Sequence, residues 1–300
     1  MAVIQVENLI KNYGGVNVVD GISFSVNAGE IFGIVGPNGA GKTTTVESVS
    51  GLRQSDSGSI SVLGLDPQRD HYEVAQRVGV QLQESRLQDK IRVHEALDLY
   101  ASFYDTPADW RSLLDRLGLE GKADARYTNL SGGQKQRLAV ALALIGTPEI
   151  AILDELTTGL DPQARRDVWG TIEQIRDSGV TVVLVTHFME EAERLCDRIM
   201  VVDQGRALAL DTPNGLIQRI GAGQLIRFRP SAHVDDAELT ALAGVEGVGR
   251  KGEMVEIAGT DDAVHAVTSF LAQRQIIAQE LRIEQNSLED AYLALTKEAK

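Results

Sequence analysis

The run Gly36-Pro37-Asn38-Gly39-Ala40-Gly41-Lys42-Thr43-Thr44 sets glycine, glycine, lysine and a hydroxyl at the spacing G-x-x-x-x-G-K-[ST], which suits the grip of a polyphosphate. The backbone N–H groups of Gly39, Gly41, Lys42 and Thr43 would point into such a turn and surround phosphate oxygens. A helix opening at Lys42 would add the positive end of its dipole. Lys42 would bring a mobile positive charge to the outer phosphates, and the Thr43 hydroxyl would face Mg2+. The alternative is a glycine-rich turn that matches by coincidence, and the flanks argue against it. Glu30-Ile31-Phe32-Gly33-Ile34-Val35 reads as a buried strand entering the turn, and Lys42 to Val49 continues as a helix.

A second chemical feature is Ile150-Ala151-Ile152-Leu153-Asp154-Glu155, an apolar strand ending in adjacent carboxylates. One suits ligation of Mg2+ and the other activation of water. Side chains alternate along a strand, so the two are expected on opposite faces with different roles. A third is Asn129-Leu130-Ser131-Gly132-Gly133-Gln134, which leads into a helix from Lys135 to Ile145. Ser131 is a good N-cap, and the glycines would let backbone N–H groups approach an anion; a simple capped helix is the plainer reading.

Single residues add to these. Tyr13, upstream of the glycine-rich turn, could stack on a purine or be an ordinary packed or surface tyrosine. Gln83 leaves the strand Val78–Leu82, where α/β folds often present a polar group to a ligand; it could equally be a solvated loop glutamine. His187 leaves the strand Val180–Val185, a position where packing or capping is the common role. His71, His94, His233 and His265 lack ligand-like spacing, so no histidine is assigned to a metal.

The elements that must position these groups alternate strand and helix. Residues 2–30 read as strands and turns, with Ile22–Val26 the clearest. Ser59–Leu63 is a strand, 71–78 a helix, and Thr158-Gly159-Leu160-Asp161-Pro162 turns into a helix ending near Asp177. Helix 188–195, strand Arg198–Val202 and the turn Asp203-Gln204-Gly205 follow. Residues 84–130 break the alternation with helical periodicity: Val93, Ala96, Leu97, Tyr100 and Ala101 share one face, and Leu113, Leu114 and Leu117 another. Thr106-Pro107 is expected to start the second of these helices and Gly118 to end it. This insertion could be a docking surface or a plain lid. Gly221-Ala222-Gly223 reads as a linker. Beyond it, strand 225–229, helix 235–243, a hairpin around Lys251-Gly252, helix 261–273, strand 276–283 and helix 287–297 give the order β-α-β-β-α-β plus a helix, a ferredoxin-like α+β arrangement.

The chain has 300 residues, 43% of them apolar, a formal charge of −14 and a pI near 4.8. So acidic a chain is a poor candidate for wrapping nucleic acid, while a local positive field for a nucleotide is still allowed. The single cysteine, Cys196, rules out an internal disulfide and reads as a small buried hydrophobe. The start Met1-Ala2-Val3-Ile4-Gln5-Val6 alternates like a strand rather than a leader, and no apolar run approaches the roughly 18 residues of a membrane span.

Taken in order over residues 1 to about 215, these segments resemble the ATP-binding cassette (ABC) family: the aromatic at Tyr13, the phosphate loop 36–43, Gln83, the signature Leu130-Ser131-Gly132-Gly133-Gln134, the carboxylates Asp154-Glu155, the Asp161 loop and His187. The resemblance implies an α/β P-loop ATPase core over residues 1–220, with an antiparallel β subdomain and a helical subdomain at about 84–130, followed by an accessory α+β domain over 221–300. It implies ATP and Mg2+ as cofactors and a head-to-tail dimer in which the phosphate loop of one copy faces Ser131 and Gly133 of the other. Tyr13 would stack on adenine, and residues 36–44, Ser131, Gly132, Gly133, Gln134 and Asp161 would surround the nucleotide. Thr43 and Gln83 would meet Mg2+, with Asp154 holding it through water. Glu155 would act on the attacking water, His187 would contact the γ-phosphate, and Lys42 and Gln83 would assist.

Thr186-His187-Phe188-Met189-Glu190-Glu191-Ala192-Glu193 and the ending Asn286 to Thr296 are similar to the branch that exports antibiotics and other drugs. That branch implies a separate integral membrane permease, a peripheral position on the cytoplasmic face of the membrane, and a coupling helix received by the insertion. A soluble cassette ATPase acting on ribosomes or nucleic acid is the competing expectation. It usually has two cassettes or a long coiled-coil insertion, and here there is one cassette and net acidity. The sequence departs from the family at two places: Leu156 follows the carboxylates where proline is usual, and Leu82 precedes Gln83 where many relatives have proline.

Overall fold

The computed structural model describes residues 1–82, 87–220 and 223–298, so Gln83 lies outside the described residues. Contacts divide the chain into two compact units, Met1–Pro213 and Asn214–Lys300. The division falls earlier than the 220/221 boundary expected from the glycine-rich linker, whose Gly221 and Ala222 are outside the described residues.

The first unit opens with β1 (Ala2–Tyr13), β2 (Val16–Asn27) and β3 (Ile31–Val35), followed by α1 (Lys42–Val49), β4 (Ser57–Val62), α2 (His71–Arg77) and β5 (Val78–Gln81). The insertion supplies α3 (Val93–Ala101) and α4 (Trp110–Arg116). Then come α5 (Gly132–Leu144), β6 (Ile150–Asp154), α6 (Pro162–Asp177), β7 (Thr181–Thr186), α7 (Met189–Leu195), β8 (Arg198–Asp203), β9 (Arg206–Asp211) and α8 (Pro213–Arg219), which spans the division. Two sheets result. One is antiparallel, in the order β2-β1-β4; the other has the order β5-β6-β7-β3-β8-β9 and is parallel except for β9.

Every residue of β3, β6 and β7 is buried, as continuous β-branched and aliphatic runs covered on both faces require. An apolar cluster joins the two sheets and α1 through Ile4, Val26, Phe32, Ile34, Val46, Val62, Ile152, Val183 and Met200. Within it the Phe24 and Phe32 rings stack at 5.4 Å. The register brings the strand ends level: Val35 pairs with Thr186, and Asp154 with Val185. The segments leaving β3, β6 and β7 therefore emerge side by side at the carboxyl edge, where open α/β sheets place their ligands.

Some elements depart from expectation. β9 was not anticipated. Arg206-Ala207-Leu208-Ala209-Leu210-Asp211 alternates, but it is an edge strand with only Ala209 buried, so its apolar signal is weak. α4 starts at Trp110 rather than at Thr106-Pro107, because the Asp109 side chain caps it by accepting from the Arg111 N–H.

The second unit runs β10 (Gln224–Pro230), α9 (Asp236–Thr240), β11 (Val245–Lys251), β12 (Met254–Gly259), α10 (Asp261–Gln273), β13 (Ala278–Gln285) and α11 (Leu288–Glu298). Its sheet order is β11-β12-β10-β13 with antiparallel neighbours, the split arrangement expected from the element order. Ile226, Phe228, Val255 and Ile257 form one side of its core, with Leu239, Val267 and Leu271 from the helices. Replacing the fully buried Phe228 with alanine is expected to cost this unit about 3–5 kcal/mol. Hydrogen exchange of the β10 and β12 amides measures it, and unchanged protection would contradict the packing described.

Candidate functional site

The turn after β3 is shaped by close approach. A Cβ on Gly36 would lie 2.1 Å from the Val202 carbonyl oxygen, and one on Gly41 2.4 Å from that of Val18. Gly41 also has φ of +96°, a conformation that side-chain-bearing residues rarely adopt. The backbones of β8 and β2 thus press the turn into its form, and α1 starts at Lys42 directly after it. Val18, Asn38, Gly39, Gly41, Lys42, Thr43, Thr44 and Glu155 line a cavity of about 270 Å³.

Lys42 is only 4% exposed, and its Nζ donates to the carbonyls of Gly36 and Pro37, each at 2.9 Å. Burial lowers its pKa, against the raising influence of Glu155 and Asp154. The Thr43 hydroxyl donates to Asp154 Oδ2 at 2.9 Å. Asp154 is fully buried, and its Oδ1 has no hydrogen-bond partner. Burial pushes its pKa up to about 6; the Thr43 bond works against this rise and the nearby Glu155 charge adds to it.

Glu155 does not follow the alternation expected of a strand. Its φ is +48°, which turns the chain at the strand end while its N–H still bonds Val185 O at 2.9 Å. Its side chain therefore returns to the same pocket as Asp154: Oε1 lies 3.9 Å from Lys42 Nζ and 3.3 Å from His187 Nδ1. Left-handed backbone at a glutamate is strained, by about 1–3 kcal/mol. The next residue, Leu156, is fully buried; where relatives are expected to have proline, this chain fills the space with an aliphatic side chain.

Lys42, Thr43, Asp154, Glu155 and His187 are thus brought together. Ser131 and Asp161 are elsewhere. Ser131 caps α5 in a capping box: its Oγ accepts from the Gln134 N–H, and Gln134 Oε1 accepts from the Ser131 N–H. The Gln134 side chain is therefore engaged in holding the turn. Asp161 caps α6, accepting from the N–H groups of Gln163 and Ala164. Ser131, Gly132, Gly133 and Asp161 line a separate cavity of about 380 Å³ that includes no residue of the 36–44 turn. Tyr13 is 42% exposed, its hydroxyl hydrogen-bonded to Arg53, with Lys11 and Arg53 each near its ring. Arg53 also pairs with Glu47 of α1 at 2.6 Å. Sequence reading missed Arg53, because a lone arginine after Gly51-Leu52 carries no pattern.

Residues 19–158 match the ABC transporter family. A Nod factor export ATP-binding protein I from Burkholderia orbicola (strain AU 1054) is 42% identical over 249 residues, covering 81% of this chain and 82% of that protein. A linearmycin resistance ATP-binding protein from Bacillus subtilis (strain 168) is 36% identical over 305 residues, 98% of each chain, so the likeness runs through both units. Among solved structures, an ATP-binding subunit of an ABC transporter superposes with a TM-score of 0.66 at 27% identity, over 73% of this chain and 93% of that one. A bacterial ABC transporter cassette solved as a dimer gives 0.62 at 25% identity, over 70% and 98%.

The Asp154 environment generates a pH prediction. The fold favours the uncharged carboxyl, so this stabilisation is fully present below the ordinary value of 3.8 and is lost as pH rises through about 6. Ionised Asp154 then costs on the order of 3 kcal/mol in the nucleotide-free, metal-free chain. Asp154→Asn is expected to melt several degrees higher than the wild type at pH 8, with the gap closing toward pH 4. A gap that is the same at both pH values in thermal scans would refute the buried-carboxyl account.

Proposed function

Because the chain belongs to the ABC transporter ATP-binding family, we propose that it hydrolyses ATP as a head-to-tail pair to power export through a separate integral membrane permease. The observation that carries the paired reading is the division of the anion-binding parts between two cavities. Residues of the 36–44 turn, Lys42 among them, and Glu155 line one, with Asp154 bonded to Thr43 beside it, and the Ser131 turn and Asp161 line the other. Each is half of a site, and a second copy supplies the missing half.

Gly133 supports this. A Cβ on Gly133 would meet Ala164 Cβ at 3.4 Å, an ordinary contact, so the fold of one chain does not demand glycine there. A phosphate reaching the start of α5 from a second copy would. Ser131 and the N–H groups of Gly132 and Gly133 would then close on the γ-phosphate with the positive end of a 13-residue helix behind them.

Within its own pocket, Lys42 would exchange the carbonyls of Gly36 and Pro37 for phosphate oxygens. The Thr43 hydroxyl and the unpartnered Asp154 Oδ1 form an oxygen donor set that fits Mg2+, and Gln83 is proposed to join them. Mg2+ bound there would neutralise charge on the phosphates. Glu155 would accept a hydrogen bond from the attacking water and hold it in line, and His187, 3.3 Å from Glu155, would contact the γ-phosphate. Tyr13 would stack on the adenine, its ring held by Arg53. Both halves are needed to stabilise the transition-state charge, so hydrolysis is conditional on pairing.

Among the described residues no helix is long and apolar enough to cross a membrane, which fits a subunit that takes its membrane path from a partner. The names of the relatives, Nod factor export and linearmycin resistance, support export of a drug, antibiotic or lipid-like compound; a place at the cytoplasmic face of the membrane is proposed with it. The insertion bearing α3 and α4 is proposed to receive the permease.

Glu155→Gln tests the mechanism. It is expected to lower turnover by about 10²- to 10⁴-fold and to give a dimer in light scattering only when ATP is present. A variant that stays monomeric with ATP and turns over like the wild type would reject both Glu155's role and the paired site.

A further inference from the structure

His187 follows β7, but its ring does not stand alone. It lies against Phe188, with ring centroids 4.1 Å apart, and the Phe188 N–H donates to Thr186 Oγ1 at 3.0 Å. The Phe188 ring in turn carries the Arg165 guanidinium of α6, 4.3 Å from its centroid. Arg165 Nε is buried with no hydrogen-bond partner, which leaves the aromatic ring as the contact seen at that end of the guanidinium. One turn further along α6, Trp169 Nε1 donates to Glu191 Oε1 of α7 at 2.9 Å, both residues being buried. The helix that Asp161 caps is thus fastened at two points to the segment that carries His187.

We infer that Arg165 and Phe188 are positioning residues: the guanidinium clamps the Phe188 ring, and that ring holds the His187 imidazole against Glu155. The helix lining the Ser131 cavity thereby sets the geometry of hydrolysis in its own chain. Arg165 and Phe188 are both half-buried, and a cation–π contact between them favours one ring position over another; a misplaced catalytic group loses rate rather than binding. Docking of a second copy at Asp161, the first residue in front of α6, is then transmitted to His187 through a rigid helix and two side-chain contacts. This inference rests on the ATP-hydrolysis reading for its kinetic consequence and on side-chain geometry alone for its structural one.

The test uses the full chain and two readouts. Arg165→Ala and Phe188→Leu are each expected to lower kcat on the order of tenfold, the rate equivalent of one such contact, with KM for ATP held within about twofold. The double variant should lose no more than either single, since both changes break the same clamp. Phe188→Tyr keeps the aromatic face and should keep kcat. Arg165→Lys keeps the charge without the flat guanidinium and should fall between, which preserves the test if the alanine variant folds poorly. Independently, in nucleotide-free protein carrying ¹³C-labelled histidine, the His187 ring resonance should move in Arg165→Ala and Phe188→Leu. A folded Arg165→Ala with wild-type kcat, losses that multiply in the double variant, or an unmoved His187 resonance would overturn the inference. A wild type that fails to hydrolyse ATP at all would refute the functional reading, while the resonance would still report on the clamp.

Discussion

An ammonium taken almost out of water needs compensation from every side, and the arrangement around Lys42 is what that need produces. Moving such an ion from water costs several kcal/mol even after relaxation. Two backbone carbonyls at 2.9 Å and a carboxylate at 3.9 Å offset the cost. Those carbonyls belong to Gly36 and Pro37, so the ammonium occupies the cradle proposed for an anion. A polyphosphate entering the turn, as proposed, would compete with neutral carbonyls for a charge already desolvated, an exchange that charge-assisted hydrogen bonding favours. The close approach of Val202 and Val18 then follows as a condition: the turn must be pressed tight for its carbonyls to reach the side chain that it carries.

The rest of the first unit serves that condition. β3, β7 and β6 are fully buried, mutually parallel neighbours, and their register sets the 36–44 turn, His187 and the two carboxylates on one edge. Because these strands are covered on both faces, a polar side chain can project only from their ends. The chemistry is consequently concentrated where the strands stop. Glu155 shows how sharply: its left-handed backbone brings a second carboxylate back to the pocket that alternation would have denied it, and the buried Leu156 anchors the turn that follows.

Much of this was legible in the residues. The phosphate turn, the strand carboxylates and the capped signature helix are local features, in which the residues that form the structure are adjacent in sequence. Strands β3, β6 and β7 were readable because an unbroken apolar run between turn residues admits few other structures. What escaped depends on distance. β9 is an edge strand whose weak alternation gains meaning only beside β8. The Arg165–Phe188 and Trp169–Glu191 contacts join side chains more than twenty positions apart in sequence, and the Arg53–Tyr13 bond spans forty; no periodicity marks such pairs. The conformation of Glu155 escaped for another reason: glutamate is not a residue whose type announces positive φ.

Charge balance within the pocket carries the argument one step further. Lys42 is a single cation facing two carboxylates, Asp154 and Glu155, in a chain whose formal charge is −14. By side chains alone this pocket would repel a polyphosphate. Attraction must come from groups that carry no formal charge in the sequence: the N–H groups of the turn, the α1 dipole and, in the proposed pair, the start of α5 from the second copy. A divalent cation beside Asp154 would reverse the remaining imbalance. It would also favour the ionised carboxylate that the empty pocket resists. In the proposed pair, nucleotide, cation and partner would each be favoured by the presence of the others, because each would remove an electrostatic penalty that the lone chain sustains. On this view the acidity of the pocket is what keeps an isolated subunit from holding the closed, hydrolytic geometry, and so ties the use of ATP to assembly.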